Sequence, residues 1–157
     1  MIEVKKDSIL PLPNQELINS IEKYYRIKFP ETYIKFLMNY NGAIPVKNTF
    51  EFDGHSYLVE RFLSILGDKI NEIEEGWSDI EVIITQIDER LVDDRDMVGM
   101  NIIPIAVLFA GDYVCLDFRN ESKFPCVCIW YHEQSDPFHP ITAKIANNFE
   151  GFLDILV

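Results

Sequence analysis

An α+β domain is what this sequence predicts, and three observations predict it. Two short-linked helical stretches open the chain, each with one apolar stripe. Three apolar, strand-like runs separated by turn residues follow one another between Ile102 and Tyr131, the pattern of a local antiparallel meander. A last helical stretch, Asn147–Leu156, closes the sequence with Phe149, Phe152, Leu153 and Leu156 on one face. With 157 residues, 48% of them hydrophobic and 13% aromatic, the chain fits one domain able to bury a core without covalent staples.

In order, Asn14 is the expected cap of a helix over Gln15–Ile27, whose stripe is Leu17, Ile18, Ile21, Tyr24 and Tyr25. Pro30 suits the first turn of a second helix, Glu31–Tyr40, which Asn41-Gly42 stops. Thr49–Phe52 and His55–Val59 flank Asp53-Gly54, a dipeptide favoured in two-residue hairpin turns. The second of these runs can continue into Arg61–Leu66. The acidic stretch from Asp68 to Gly76 reads as a loop. Ser78 and Glu81 have capping-box spacing ahead of a helix over Asp79–Leu91, with Ile80, Ile83, Ile84, Ile87 and Leu91 in helical register. Its β-branched run at Val82, Ile83 and Ile84 weakens the propensity. Strands follow at Ile102–Phe109, Tyr113–Phe118 and Cys126–Tyr131, with apolar side chains on both faces, so the sheet is expected to be covered on both sides. A loop over Glu133–Pro140 leads to a short edge strand, Ile141–Ala146.

The formal net charge of −12, from 14 basic and 26 acidic residues, bounds the partners. Nucleic-acid and anionic-lipid binding rest on basic residues that neutralise phosphate, and the sequence shows no local basic patch. No partnership with nucleic acid or membrane is expected, whereas a basic protein would be steered toward this surface. No apolar run approaches the roughly 18 residues of a membrane span. The N-terminus lacks the apolar core of a secretion signal, and an odd number of cysteines, three, gives no disulfide framework. Both observations lead to the expectation of a cytoplasmic protein.

Chemistry is harder to find. Cys115, Cys126, Cys128, His132 and His139 are of the types that bind zinc, but the Cys-x-Cys pair lies in an apolar strand and no Cys-x-x-Cys knuckle is present. Buried structural thiols are the better reading, and no metal or cofactor is expected. A cysteine with His132, or a serine with His55, lacks any recognisable nucleophile motif. The acidic groups Asp93/Asp94/Asp96 and Asp112/Asp117 have no EF-hand spacing and read as solvated turns. Glycine-rich phosphate loops do not occur. On residues alone the chain is a soluble globular domain.

Several anchors nevertheless fall into one order. Phe29-Pro30-Glu31-x-Tyr33-x-x-Phe36-Leu37-x-x-Tyr40-Asn41-Gly42 comes first, then Ile103-Pro104-Ile105-Ala106 and Gly111-Asp112-x-x-Cys115-Leu116-Asp117. Val127-x-x-Trp130-x-His132-Glu133 and Ala146-x-Asn148-Phe149-x-x-Phe152-Leu153 follow. Over about Ile18 to Leu156 this resembles the SUKH superfamily, named partly for yeast cell-wall assembly regulators. The sequence departs from many relatives in carrying Phe109-Ala110, where they place glycines before Gly-Asp, and the segment Asp68–Gly99 has little family pattern. The resemblance implies an α+β domain with a central mixed, largely antiparallel sheet packed by the N-terminal helix pair, a middle helix and a C-terminal helix. It also implies a non-enzymatic role. Bacterial members are commonly immunity proteins that bind and neutralise a cognate polymorphic toxin, often a nuclease; a regulatory scaffold without a toxin is the alternative. Partner contacts are expected on exposed acidic loops, at Asp93, Asp94, Asp96, Asp112 and Glu133, with Asp117, Trp130 and Phe149 holding the fold.

Overall fold

The computed structural model describes residues 2–157, and among them the strands join in one six-stranded sheet. The strands are β1 (Thr49–Phe52), β2 (His55–Phe62), β3 (Ile102–Leu108), β4 (Tyr113–Asp117), β5 (Cys126–Trp130) and β6 (Thr142–Ala146). They lie in chain order, and each pairs antiparallel with the next. The only parallel component among the described residues is an isolated bridge, Ser64 to Asp79.

The helices form where the caps and stripes place them. Asn14 caps α1 (Gln15–Tyr25) by accepting the Leu17 N–H at 2.8 Å. The helix stops two residues short of the expected Ile27, because Arg26 turns left-handed at φ 58° and the Ile27 N–H returns to the Glu22 carbonyl. α2 (Glu31–Tyr40) starts directly after Pro30. α3 (Ile80–Ile87) is capped by Asp79 rather than Ser78: one Asp79 carboxylate oxygen accepts from the Glu81 and Val82 N–H groups, the other from Leu66 N–H. The Ser78 hydroxyl is already engaged, with the Glu75 carbonyl and Ser64. The helical period expected to Leu91 tightens after Ile87 into a 3₁₀ turn at Asp88–Arg90. Gly67–Asn71 and Glu74–Ser78, within and beside the stretch that reads as a loop, are also 3₁₀ helices. α4 (Phe149–Ile155) is capped by Asn148.

Cross-strand partners share a face of a sheet, so the register sorts the core. Phe62, Ala106, Val114 and Ile129 lie on one face. There Phe36 of α2 sits 4.5 Å from Phe62, and Phe149 of α4 contacts both rings. Tyr33, edge-on to Phe149 at 5.1 Å, and Phe152, 5.8 Å from Phe50, extend this aromatic cluster. Each such ring contributes roughly 1.5–3 kcal/mol by leaving water. Val107, Tyr113 and Trp130 occupy the opposite face. That face is crossed by the turn after α3: the Trp130 indole donates to the Arg90 carbonyl at 2.9 Å, and the Arg90 guanidinium lies 5.0 Å over the ring. The expectation that β3, β4 and β5 are covered on both sides holds, with β3 buried at every position. Pro104 is accommodated in this central strand at a register shift in the β3–β4 pairing.

Candidate protein-binding face

The meander puts the β3–β4 turn beside the end of β5, and the site grows from that geometry. Leu108 donates to the Asp112 carbonyl and Gly111 back to Leu108, which forces Ala110 and Gly111 to φ 76° and 92°. An alanine in this left-handed region is strained by about 1–2 kcal/mol, a cost that glycine would avoid. The Phe109 N–H donates to the Leu58 carbonyl at 2.9 Å, pinning the turn to β2. An Asp112 carboxylate oxygen accepts the His132 N–H at 2.8 Å, pinning the same turn to the β5–β6 loop. With its backbone held at both ends, Phe109 leaves its side chain 67% exposed.

Between these elements runs an open groove of about 750 Å³, lined by Tyr57, Leu58, Phe109 and Tyr131 together with Asp53, His55 and Asp112. The Tyr131 phenol is pushed far above its ordinary range by burial first, then by the neighbouring Tyr57 side chain and the nearby Asp112 and Asp53 charges. The groove therefore joins apolar and hydroxyl-bearing side chains to two carboxylates.

Arg90 holds the neighbouring loop by donating to the carbonyls of His132 and Ser135. Phe138 donates its N–H to the Glu89 carbonyl, and Arg95 stacks over the Phe138 ring at 5.1 Å. A second groove of about 680 Å³ opens here, lined by Asp88, Glu89, Asp94 and Arg95 together with Met97, Met100 and Phe138.

The five acidic residues singled out in the sequence thus do not form one cluster. Asp112 borders the first groove, and exposed Glu133 sits one residue from its lining residue Gln134. Asp94 lines the second groove and accepts the Asp96 N–H. Asp93 is exposed and is not among the residues lining either groove. Sequence reasoning missed Tyr57, Leu58, Phe109 and Asp53, although the two turn signatures, Asp-Gly and Gly-Asp, mark where they would meet.

One expectation is corrected. The sequence shows no basic run, yet the fold gathers Lys23, Arg26, Lys28 and Lys123 along a groove of about 530 Å³. Lys23 and Arg26 lie at the C-terminus of α1, where cations complement the helix dipole, and Lys28 follows in the α1–α2 connection; Lys123 arrives from the β4–β5 loop. Of the four, Lys28 has an acidic partner among the described residues, buried Glu22 at 3.8 Å.

The thiols lie inside the sheet. Cys115 stands opposite Cys128 and Cys126 opposite Asp117, all three unbridged. Burial pushes the Cys115 thiol well up and that of Cys126 up, the wrong direction for a thiolate nucleophile. Asp117 is instead clamped by Arg119 at 2.9 Å, and Arg119 also donates to Thr142. Among the described residues no group of three or more His, Cys, Asp or Glu side chains converges as metal ligands would. No described helix is long and apolar enough to cross a membrane.

Comparison with known proteins adds one finding. A family model described as SUKH_6, SMI1-KNR4 cell-wall, matches residues 15–153. No curated protein matches the chain.

Proposed function

We propose, from the premise that this chain belongs to the SUKH (SMI1-KNR4 cell-wall) family, that it is a non-catalytic, cytoplasmic immunity protein. Its partner is a basic toxin, most directly a nuclease, which it neutralises by binding. The observation that carries this reading is the arrangement of acid around two open grooves in a chain of net charge −12: Asp53 and Asp112 at one, Asp88, Glu89 and Asp94 at the other. Asp93, Asp96 and Glu133 extend the negative surface on exposed loops. A toxin that binds nucleic acid presents cations, and complementary fields accelerate encounter by one to three orders of magnitude at low salt.

The test is co-expression with the toxin encoded beside the gene, followed by mixing of the purified proteins at 50 and 300 mM salt. Protection of the cell and a complex that associates more slowly at high salt support the reading. Unchanged lethality with no complex at either salt refutes it. A regulatory scaffold is the second reading, and the basic groove favours it, since Lys23, Arg26, Lys28 and Lys123 suit an acidic partner rather than a nuclease. Pull-downs in which loss of these four cations releases a housekeeping protein would decide for it.

A further inference from the structure

Charge can bring a toxin to this protein, but affinity at protein interfaces comes from a few desolvated aromatic anchors ringed by polar groups. The groove beside the β3–β4 turn brings both kinds of group together. Exposed Phe109 and Leu58 line it with Tyr57 and Tyr131, and so do Asp53, His55 and Asp112. A single exposed phenylalanine is ordinary. Phe109 differs in being held out: its N–H is bonded to Leu58, and the next residue, Ala110, takes φ 76° to make the turn. On the far side of the groove Asp53 is also left-handed, at φ 50°, so both acidic and aromatic elements are set by tight turns rather than by mobile loops. At Ala110 such local strain is retained where the surrounding structure enforces a particular presentation. By contrast, the ring that lies with Asp94 in the second groove, Phe138, is only partly exposed and already stacks against Arg95, although it too takes a positive φ, of 60°.

Resting on the toxin-neutralising reading, we propose that this groove, and not the Asp93–Asp96 loop, is the anchoring site, and that it takes a segment of the toxin bearing an apolar side chain next to a lysine or arginine. The apolar side chain packs on Phe109 and Leu58. The cation meets Asp53 and Asp112, whose negative field exceeds what either carboxylate supplies alone. Tyr57 and Tyr131, which line the groove, offer hydroxyls to the segment's backbone. Phe109 and the groove then govern dissociation, whereas the acidic loop governs only the rate of approach.

The experiment uses the full chain and the neighbouring toxin domain, with binding followed by stopped-flow and surface plasmon resonance at two salt concentrations. Phe109→Ser is expected to speed dissociation about 30-fold, the scale of a hot-spot truncation, with an unchanged urea midpoint confirming the fold. Asp53→Asn with Asp112→Asn keeps the Asp112 acceptor for His132 and should flatten the salt dependence. Asp93→Asn/Asp94→Asn/Asp96→Asn should slow association a few-fold and leave dissociation alone. Ala110→Gly should retain the turn and weaken binding a few-fold by loosening the presentation of Phe109. If the wild type binds the toxin and Phe109→Ser binds equally well, the groove assignment is overturned while the immunity reading stands. If dissociation responds to the aspartate loop instead, the anchor lies there. Concentration-dependent dimerisation lost in Phe109→Ser would assign the groove to a second copy of this chain and overturn the toxin assignment. If the wild type binds no toxin, the functional reading itself fails and the groove assignment with it.

Discussion

Replacing Tyr33 by phenylalanine should make the protein more stable, against the usual trend for core substitutions. Tyr33 is 1% exposed, and its hydroxyl has no hydrogen-bond partner among the described residues. Around it stand Phe29 and Phe149, both at 5.1 Å and edge-on, and Phe36 stacked at 6.5 Å. A buried hydroxyl without a partner costs about 1–3 kcal/mol by mutational measures. Removing it leaves a void about the size of one oxygen, worth about 0.3 kcal/mol at the usual cavity coefficient. The net gain is about 1–2 kcal/mol, or about 3–6 °C in melting temperature for a chain of this length. Urea unfolding with an unchanged slope, and calorimetry, would read it. The pH dependence supplies a second signature. Burial pushes the Tyr33 phenol far above its ordinary 10.0, so its contribution is fully present below pH 10 and is lost as pH rises beyond that value. Tyr25 and Tyr131 shift in the same direction, and the phenylalanine variant should lose stability in alkali less steeply than the wild type. A loss of 1 kcal/mol or more at neutral pH would refute the reasoning, because it would mean that the hydroxyl is satisfied in solution.

Three further outcomes follow from the packing. Gly99 takes φ 89° with its α-carbon pressed to α1, and a β-carbon there would stand 2.5 Å from the Tyr25 carbonyl oxygen; Gly99→Ala should cost about 2–4 kcal/mol in urea unfolding, from left-handed strain plus overpacking. Asp79→Ala removes a helix cap and strands the Leu66 N–H, for about 2–4 kcal/mol. Burial raises the Asp79 carboxyl above 3.8 despite three N–H donors, so its contribution is fullest below that pH and declines as pH rises through the folded value; the variant's deficit should be smaller at pH 7 than at pH 3.5, and the opposite order would show that the hydrogen bonds outweigh burial. Native protein should give almost no rapid reaction of Cys115 and Cys128 with a disulfide reagent at pH 8, with Cys126 the first to react and all three available in urea.

The helices and the hairpins were legible because their signals are local. Asn14 and Asn148 cap within three residues, and Asp53-Gly54 turns within two. The start of α3 was misread by one residue because two cap-forming side chains are adjacent. What decides between them is tertiary: Ser64 engages Ser78, and Leu66 engages Asp79. The 3₁₀ segments around Asp68–Gly76 carry no apolar period by which a sequence could announce them. The same distinction governs the site. Net charge is additive and visible in sequence, so acidic loops could be named. A groove is a meeting of distant segments: Phe109 needs Leu58 beside it, and the basic groove needs Lys123 brought to Arg26. That juxtaposition is written in strand order, not in any one stretch.

Strand order also sets the schedule by which the chain can become this structure. Each strand pairs with its sequence neighbour, so the sheet can assemble hairpin by hairpin as residues become available. The aromatic layer cannot, since Tyr33 and Phe36 wait for Phe149, Thr32 bonds Glu150, and Thr49 pairs with Val157. A nascent chain lacking α4 would hold a nearly complete sheet under an open face of phenylalanines, the kind of intermediate that chaperones recognise. At a translation rate of about 5–20 residues per second, the α2 rings wait roughly 6–23 s between the synthesis of α2 and that of α4. Truncation within α4 would therefore prolong the most aggregation-prone moment of synthesis rather than merely trim an end.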